Sequence, residues 1–476
     1  MDDQTPIYSA LCRYRDEECL RLHMPGHVGG RGMNDGLRQM AELDVTEIEG
    51  MDDFHLPQGI IAASQQLLAK AVGAEESFYL VNGASSGIQA LFMSMLNESE
   101  AVLIPRNCHR SFYGGLVLSG AMPVYIPSRI ENEMGMELAV DATDVETCLG
   151  QYPEVKAVYI TSPSYLGTCS DIESIAAAAQ KYNKMVLVDE AHGGHFPFHE
   201  DYPLPALAQG AAASVNGLHK TWPVFNQGGC LHINKVFHEK ERLRQAVSLV
   251  TTTSPSYPLL VSMELARMYM EQNGRQHLEQ ALQWSRSCQQ KINQIKGLRC
   301  YNEELKGRPG IKGVDPLKMV ITMPGLSLSG YQMGHILRSK YHIQLEMESR
   351  HLILAMFSFL HDRSDWERFY LALREIAADY RGDGEKKMHM EPLPEPQVML
   401  SPRKAFQSAK RQVILQDSLN LISGEMVAVY PPGIPCLLPG ERITAEIMDY
   451  LHYVKKSGAR IQGPKEPDLK NILVID

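Results

Sequence analysis

The chain has 476 residues, 44% of them hydrophobic, which is enough to bury a large core and to form roughly three domain-sized units. Its net charge of −10 argues against nucleic acid or an anionic membrane as the main partner. No apolar run approaches the ~18 residues that cross a bilayer, and the acidic, polar residues 1–6 do not resemble an export signal. Nine dispersed cysteines without a Cys-x-x-Cys pair predict a reducing, cytoplasmic location.

Short apolar runs alternate with helical patterns over residues 77–234, which is typical of a parallel sheet covered by helices. The predicted strands are residues 78–81, 101–104, 123–126, 157–161, 185–188, 212–215 and 230–233. A helix with one buried stripe is predicted after the first strand, from the spacing of Ile88, Leu91, Phe92, Met95 and Leu96. The segment Ser170-Asp171-Ile172-Glu173 has the pattern of a capping box and predicts a helix that continues through Ala179.

Residues 254–296 are predicted to be mostly helical, and a turn-rich stretch, 305–316, separates them from a second α/β unit. That unit has predicted strands near residues 318–322 and 352–357 and a predicted helix near 331–341. A charged, proline-rich stretch, 381–404, is typical of a linker before a small C-terminal unit.

Five parts of the chain are predicted from these patterns. They are an N-terminal arm (1–60), a large domain (61–304), a small α/β domain (305–385), a linker (386–404) and a C-terminal domain (405–476). In open α/β sheets, ligands bind at the carboxyl ends of the strands. Gly83, Asp189 and Gly217 each follow a predicted strand of the large domain, so we expect them to converge on one rim.

Two polar residues near that rim have the chemistry needed to bind pyridoxal phosphate (PLP). Lys220 lies in the polar turn Gly217-Leu218-His219-Lys220-Thr221-Trp222, and Asp189 closes an apolar run. PLP requires an amine that forms a Schiff base with its aldehyde and a carboxylate that keeps its ring nitrogen protonated. The alternatives are a solvated surface lysine and a strand-end aspartate that caps a turn.

The segment Gly83-Ala84-Ser85-Ser86-Gly87 lies between a predicted strand and a predicted helix. Backbone amides, serine hydroxyls and the positive end of the helix dipole would favour a phosphate there. An ordinary capped helix start is the alternative. His109 follows the strand that ends near Ile104, where it can stack on a flat ring; the alternative is a polar loop residue.

A metal site is not predicted. The side chains of His192, His195 and His199 are close in sequence, but a helix that would align them as ligands is interrupted by Gly193, Gly194, Pro197 and Phe198. The helical His-Glu-x-x-His pattern is also absent from the sequence.

Taken together, the motifs resemble those of the Orn/Lys/Arg decarboxylase family of fold-type-I PLP-dependent enzymes, over most of the chain. In chain order they are His23-Met24-Pro25-Gly26-His27, Asp44-Val45-Thr46-Glu47, Asp52-Asp53-Phe54-His55, Asn82-Gly83-Ala84-Ser85-Ser86-Gly87-Ile88-Gln89-Ala90, Asn107-Cys108-His109, Asp189-Glu190-Ala191-His192, His219-Lys220-Thr221, Thr252-Thr253-Ser254-Pro255-Ser256-Tyr257 and Tyr430-Pro431-Pro432-Gly433-Ile434-Pro435. The resemblance implies a large domain with a mostly parallel sheet, a smaller α/β domain and an extra C-terminal domain. General aminotransferases are not expected to have the last of these.

The resemblance also implies a role for each residue of the cofactor site. Lys220 carries the Schiff base, Asp189 pairs with the ring nitrogen and His109 stacks on the ring. The remaining cofactor contacts are phosphate binding by Ala84, Ser85 and Ser86, packing of the Ala191 methyl group beneath the ring, and placement of His192 close to the Schiff base. The segment Thr252-Thr253-Ser254 reaches the phosphate of a neighbouring subunit, so Thr253 and Ser254 imply at least a homodimer.

One position departs from the family pattern. The family usually has a serine two residues before the His-Lys pair, and this chain has Gly217 there. The phosphate then loses one hydroxyl group, and Asn216 or a backbone amide is predicted to substitute for it. Leu218 and Trp222 also differ from the expected residues.

The predicted reaction is decarboxylation of a basic L-amino acid to an amine and carbon dioxide, with Lys220 or His219 returning a proton to the α-carbon. Arginine is the favoured substrate, followed by lysine or ornithine. The side chain of the substrate is predicted to meet carboxylates, for which the candidates are Asp52, Asp53 and Glu425; each is alternatively a solvated or capping carboxylate.

Two other functions remain open. An aminotransferase on the same fold would need a cation for the substrate carboxylate, and Arg350 is the candidate, although an exposed structural arginine is the alternative. An inactive decarboxylase-like subunit is favoured by Gly217 but opposed by the retained Lys220, Asp189 and His109.

Overall fold

The computed structural model describes residues 3–127, 129–131, 136–137, 139–382, 393–430, 434–457 and 460–476. Part of the predicted linker, residues 386–392, and Pro431, Pro432 and Gly433 of the C-terminal motif lie outside the described residues. The chain forms two compact units. The first comprises Met1–Ser94 and Leu187–Gln276, and the second comprises Met95–Val186 and His277–Asp476.

The helices form from the segments with helical periodicity and from the shorter polar turns between strands. In chain order they are α1 (Pro6–Asp16), α2 (Asp35–Glu42), α3 (Ile60–Val72), α4 (Gly83–Met95), α5 (Arg110–Ser119), α6 (Ala142–Gln151), α7 (Ile172–Lys181), α8 (Leu218–Thr221), α9 (Lys240–Val250), α10 (Tyr257–Tyr269), α11 (Arg275–Asn293), α12 (Gly330–Tyr341), α13 (Arg363–Asp379), α14 (Pro402–Gln407) and α15 (Ala445–Ser457). Short 3₁₀ turns occur at Phe196–Phe198, Leu207–Gln209, Glu303–Leu305 and Leu415–Ser418, and a π-helical turn, Met270–Gly274, joins α10 to α11.

The strands follow the apolar runs of the sequence. They are β1 (Glu76–Leu80), β2 (Ala101–Pro105), β3 (Met122–Ile126), β4 (Ile130–Glu131), β5 (Met136–Glu137), β6 (Ala157–Thr161), β7 (Thr168–Ser170), β8 (Met185–Asp189), β9 (Ala213–Asn216), β10 (Gly229–Ile233), β11 (Arg299–Tyr301), β12 (Ile311–Val314), β13 (Lys318–Thr322), β14 (Met347–Glu348), β15 (Leu352–Met356), β16 (Lys410–Ile414), β17 (Val427–Tyr430), β18 (Ile434–Leu437), β19 (Arg460–Gln462) and β20 (Asn471–Ile475).

In the first unit, the strand order is β1-β10-β9-β8. Strand β9 pairs parallel with β8, whereas β10 runs antiparallel to both β9 and β1. The predicted, mostly parallel sheet is confirmed, and β10 is an antiparallel strand within it. Strands β1 and β9 are both antiparallel to β10 and therefore run in the same direction as each other. The carboxyl ends of β1, β9 and β8 thus lie at one edge of the sheet. This confirms the predicted rim.

Helix α4 begins at Gly83, five residues before the start of its predicted apolar stripe. The segment Gly83–Gly87, predicted to lie between the strand and the helix, is thus the first turn of the helix. A Cβ atom at Gly87 would lie 2.6 Å from Leu80 Cδ1 and 3.0 Å from Val215 Cγ1, because this turn packs directly on β1 and β9. The glycine is required by this close approach.

In the second unit, β6, β2 and β3 form parallel pairs in the order β6-β2-β3. A separate sheet of order β11-β13-β15-β14 is antiparallel throughout, so the smaller α/β domain differs in strand direction from the large sheet. Its core includes Leu305, Val320, Met347, Leu352 and Leu354. The C-terminal residues form the pair β16-β20 and the sheet β18-β17-β19 around a core that includes Val427, Leu437, Ile447, Leu451 and Val474.

The predicted capping box at residues 170–173 is wrong. Helix α7 begins at Ile172, and its N-cap is Asp171, whose carboxylate accepts a hydrogen bond from Ser174 N. Ser170 instead ends β7, pairs with Ile311 and accepts a hydrogen bond from Val140 N through its side chain (3.0 Å). Pairing with a distant strand removes Ser170 from the capping position. Among the helices of the described ranges, none has both the length and the apolar composition that crossing a bilayer demands.

Candidate functional site

The loops that follow β8 and β9 are bonded to each other at the rim of the first unit. Strand register places Asp189 opposite Val215. Glu190 N donates to Val215 O (3.0 Å), and Gly217 N donates to Ala191 O (3.2 Å). Asp189 is the last residue of its strand rather than the first residue after it, and the two loops bring Ala191 beside Gly217.

Lys220 lies in the one-turn helix α8, directly after this junction. Gly217 is the N-cap of the turn, and Lys220 N donates to Gly217 O (2.9 Å). The Lys220 side chain is half-buried, and its Nζ lies 3.2 Å from Nε2 of the buried His192. A side chain held in this way differs from a solvated surface lysine. The structure therefore brings together two of the predicted catalytic residues.

His219 points toward the start of β10. Its Nδ1 lies 2.8 Å from Gly228 O, and because a carbonyl oxygen can only accept, Nδ1 carries a proton and Nε2 is left as an acceptor. Burial lowers the pKa of His219, although the hydrogen bond to Gly228 acts in the opposite direction. The ring is therefore neutral at neutral pH.

Asp189 is buried, and its Oδ1 accepts a hydrogen bond from Ala191 N (3.1 Å). The next carboxylate in the chain, Glu190, is also buried; its Oε1 accepts from Ala206 N (2.8 Å). The Asn216 amide nitrogen donates to Glu190 O (2.8 Å) and to Glu190 Oε2 (3.3 Å). Since its amide group is engaged with Glu190, the structure does not support the prediction that Asn216 replaces the missing phosphate ligand.

Sequence reasoning did not identify Glu190 as important. Burial raises the pKa of Glu190 to about 7, and the charge of Asp189 adds to this effect, whereas hydrogen bonds from Ala206, Asn216 and Ser214 oppose it. Glu190 is therefore held near half-protonation at neutral pH. The sequence signal that could have identified Glu190 is its position as a second acidic residue directly after Asp189, at the end of a predicted strand.

The first turn of α4 has the properties of an anion site. The first four amides of a helix have no carbonyl partner within it, and the helix dipole is positive at this end. Gly83 has φ +78°, and a Cβ atom at Gly229 would lie only 3.0 Å from Ala84 N, so the helix start is packed tightly over β10. Ser85 is half-buried, and Ser86 is buried and donates through its hydroxyl group to Gly83 O (2.8 Å).

The segment 252–254 lies near this helix start within the same chain. Thr252 N donates to Asn82 Oδ1 (3.3 Å), and His55 Nε2 donates to Thr252 O (3.1 Å). Thr253 and Ser254 are exposed. Their contact with the phosphate of a neighbouring subunit stays a prediction.

His109 belongs to the second unit, where it is the N-cap of α5 rather than an ordinary loop residue. Its Nδ1 accepts a hydrogen bond from Ser111 N (3.2 Å) and lies 2.9 Å from Ser111 Oγ. These contacts fix the ring at the start of the helix. Its stacking on a cofactor ring stays a prediction.

The structure does not favour a substrate role for Asp52. Asp52 has φ +66°, and its two carboxylate oxygens accept hydrogen bonds from backbone amides that include Gln58 N (2.9 Å), Gly59 N (2.8 Å) and Ile61 N (3.0 Å). Partial burial acts to raise the pKa of Asp52, but the hydrogen bonds from Gln58 and Gly59 bring it below its usual value. These contacts favour the alternative role for Asp52, that of a carboxylate that caps backbone amides.

The other two substrate candidates are also bonded to the backbone. Asp53 Oδ1 accepts from His55 N (2.8 Å) and Leu56 N (3.1 Å). Glu425, in the second unit, is buried and accepts from Lys465 N (2.7 Å) and Leu473 N (2.8 Å). Capping is again favoured over substrate binding. Arg350, the candidate for an aminotransferase, is exposed.

The residues of the first unit fit PLP. The half-buried amine of Lys220, the buried carboxylate of Asp189 and the amide-rich start of α4 lie along one rim, which offers the amine, acid and phosphate site that the cofactor needs. Lys220 would hold the aldehyde, Asp189 the ring nitrogen, Ala191 one face of the ring, and Ser85 with the α4 amides the phosphate.

Comparison with known proteins gives consistent results. The family model for the major domain of Orn/Lys/Arg decarboxylases matches residues 5–363, and the model for their C-terminal domain matches residues 384–467. An arginine decarboxylase from Bacillus subtilis (strain 168) is 34% identical over 99% of this chain and 98% of its own length.

Solved structures agree with the family match. Lysine decarboxylase LdcF from Francisella novicida superimposes with a TM-score of 0.83 at 19% identity and covers 100% of this chain and 82% of its own. L-Threonine transaldolase from Pseudomonas fluorescens, in its internal aldimine state, has a TM-score of 0.55 at 15% identity, over 66% of this chain and 71% of its own. The predicted fold-type-I architecture with an extra C-terminal domain is confirmed. With both of its domain models matched, this chain belongs to the Orn/Lys/Arg decarboxylase family.

Proposed function

We propose that the protein is a PLP-dependent decarboxylase of a basic L-amino acid, with arginine as the favoured substrate and lysine or ornithine next. The observation that carries the proposal is the placement of the Lys220 amine 3.2 Å from His192 Nε2, on the same rim as Asp189 and the start of α4. Family membership and the 34% identity to an arginine decarboxylase support the choice of reaction and substrate.

When bound, PLP supplies an aldehyde that captures the substrate amine and a ring that accepts the electron pair left when the carboxylate departs. Asp189 holds a proton on the ring nitrogen, since a buried anion beside a pyridine favours its cationic form. Glu190, directly after Asp189, is held partly protonated at neutral pH by burial, which raises its pKa to about 7.

The residues around Lys220 position the proton that completes the reaction. His192 Nε2 orients the Lys220 amine toward the rim. His219, whose Nδ1 proton is held by Gly228 O, has Nε2 available as an acceptor and is the second candidate for proton transfer to the α-carbon. A proton carried by Lys220 Nζ and delivered to the α-carbon gives the amine product.

The proposal also includes the cellular location of the protein and its oligomeric state. The nine cysteines, all within the described ranges, form no disulfide, which supports a reducing cytoplasm as the location. The active unit is a homodimer or a larger homo-oligomer, in which Thr253 and Ser254 reach a neighbouring cofactor phosphate. The exposure of both residues supports this arrangement. The domain boundaries proposed from the sequence accompany it: 1–60, 61–304, 305–385, 386–404 and 405–476.

The test is reconstitution with PLP followed by a carbon dioxide assay with arginine, lysine and ornithine. Wild-type protein is expected to gain visible absorbance and to release carbon dioxide fastest from arginine, whereas K220A gains neither property. K220R, which keeps the positive charge, is expected to behave like K220A, because the guanidinium group does not form the imine. Formation of a keto acid in place of carbon dioxide would identify an aminotransferase, and colour without turnover would identify an inactive subunit.

A further inference from the structure

A buried ion pair lies just before the motif that carries His109. Arg106 follows β2 directly, and its guanidinium group binds Glu441 in a bidentate manner, with N–O distances of 2.5 and 2.9 Å. Both side chains are 3% exposed. Arg106 belongs to the major-domain part of the second unit, whereas Glu441 belongs to its C-terminal part, so the pair joins two segments that are distant in sequence.

Further contacts fix the geometry of this pair. Glu441 Oε2 also accepts a hydrogen bond from Leu438 N (2.8 Å), and Oε1 accepts one from Tyr125 OH (3.4 Å). The Arg106 guanidinium carbon lies 5.0 Å from the centre of the Tyr125 ring. Burial raises the pKa of Tyr113, on α5, to about 12, and the charge of Glu441 adds to this effect. Glu441 thus binds Arg106, directly after β2, and Tyr125, on β3.

A buried ion pair is weak evidence for stability alone, because removing two charges from water costs about as much as their attraction returns. Such a pair does, however, fix one geometry, since the alternatives leave a charge unpaired in the interior. The geometry that this pair fixes is that of residues 106–109, which lead from β2 into α5.

The segment that matches the C-terminal domain model, residues 384–467, which includes part of the proposed linker, also contacts the last turn of α5. Arg403, in α14, donates through Nε to Val117 O (2.9 Å) and through a second nitrogen to Leu118 O. These carbonyls lie in the last turn of α5, where they have no partner within the helix. Side chains of residues 384–467 therefore contact Arg106, three residues before the N-cap His109, and the last turn of the helix.

We propose that the C-terminal segment 384–467 positions His109 for cofactor stacking through this clamp, which we define as Arg106–Glu441 just before α5 and Arg403 at its last turn. The inference rests on the proposed function, because it assigns His109 to the face of the PLP ring. Glu441 and Arg403 are positioning residues: they act through the backbone that carries His109 and touch neither cofactor nor substrate.

A double-mutant cycle on PLP affinity in the holoenzyme tests this inference. E441Q keeps the shape of the side chain but removes the charge that holds Arg106, and it is expected to weaken PLP binding about tenfold, as is H109A. If Glu441 acts through His109, E441Q adds less than twofold to the loss in an H109A background. If the fold losses in PLP affinity of E441Q and H109A multiply in the double variant, the proposal would be overturned.

The matched control is E425Q. Glu425 is a buried glutamate of the same C-terminal domain, and its carboxylate accepts from Lys465 N and Leu473 N rather than from Arg106, so its replacement removes a buried carboxylate that does not hold the clamp. We expect PLP affinity within twofold of wild type for E425Q. An equal loss in E425Q and E441Q would mean that the domain contributes only general stability.

A second measurement does not depend on the cofactor. The half-buried thiol of Cys108 lies between Arg106 and His109, and its alkylation rate in PLP-free protein reports whether this segment is held. E441Q is expected to raise the rate at Cys108 about tenfold, as read by peptide mapping, and E425Q to leave it unchanged. An unchanged rate in E441Q would overturn the clamp.

The two measurements separate failure of the clamp from failure of the proposed function. If wild-type protein binds no PLP, the proposed function fails, while the labelling rate still reports on the clamp. If E441Q does not fold, the paired variant R106M/E441M replaces both charges with apolar groups of similar size, which is often tolerated. We expect the same gain in Cys108 labelling for this variant, and a wild-type rate would contradict the proposal.

Discussion

Nζ of Lys220 lies 3.2 Å from Nε2 of His192, a residue that comes from the loop after a different strand. The two loops that carry these residues are joined by the hydrogen bond from Gly217 N to Ala191 O. The direction of the amine is therefore set by the sheet edge on which both loops begin.

The contact between Lys220 and His192 predicts the effect of H192A. The variant is expected to bind PLP and retain its visible absorbance, because Lys220 and Asp189 remain. Turnover is expected to fall about a hundredfold, since the amine is no longer oriented for proton transfer. Single-turnover carbon dioxide release measures this step, with K220A as the colourless reference, and a wild-type rate in H192A would contradict the assignment.

The raised pKa of Glu190 predicts a pH dependence of stability. Between the ordinary value of 4.5 and about 7, the unfolded chain ionises this group while the folded chain keeps it protonated. The folded state then binds more protons, so the free energy of unfolding falls as pH rises through this window, by at most about 3 kcal/mol. The contribution is fully present below pH 4.5 and lost above pH 7.

E190Q has no titrating group at this position and is expected to lack that part of the decline. The measurement is urea denaturation of both proteins at pH 5 and pH 8. Parallel changes in the two proteins over this range would show that Glu190 does not titrate there.

Gly217 offers a comparison of two substitutions at one position. A Cβ atom there would lie 3.2 Å from Lys220 Cδ and 3.2 Å from Ala191 O, so alanine and serine incur the same slight crowding. Only serine adds a hydroxyl group that can bind the phosphate. We expect G217S to bind PLP about tenfold more tightly than G217A, as a charge-assisted hydrogen bond would provide. Equal dissociation constants would place residue 217 away from the phosphate.

Asp52 is predicted to affect stability but not substrate choice. D52N retains a side chain that tolerates φ +66° but loses the negative charge, and is expected to cost about 1 kcal/mol of unfolding free energy. D52A loses the cap as well and is expected to cost about 2 kcal/mol. Chemical denaturation measures both values. The ratio of arginine to lysine turnover should match wild type, and a changed ratio would restore the substrate role.

The sequence predicted seven strands of the region 77–234 to within two residues at each end, because their apolar runs are short and bounded by polar residues, but it did not predict the short strands β4, β5 and β7. It could not predict that β10 is antiparallel, since strand direction leaves no trace in a local pattern. Ser170 was misread for a related reason: its pairing with Ile311 depends on a strand far along the chain.

The residues of the candidate site also differ in whether local sequence or distant contacts determine them. Lys220 and Asp189 could be identified because their chemistry and their positions next to strands are local properties of the sequence. The capping of Asp52 depends on its backbone angle and on amides up to ten residues away. The contacts of Glu425 depend on residues at 465 and 473, which no local pattern reveals.

The packing of Gly87 against Leu80 and Val215 has a consequence for how the site tolerates change. The height of the α4 amides above the rim is limited by a single hydrogen atom on the underside of the helix. Any larger group there would lift the first turn of α4 away from the level of Lys220. The spacing between Lys220 and the first turn of α4 is thus a property of the sheet surface, and redesign of the surrounding loops alone would leave it unaltered.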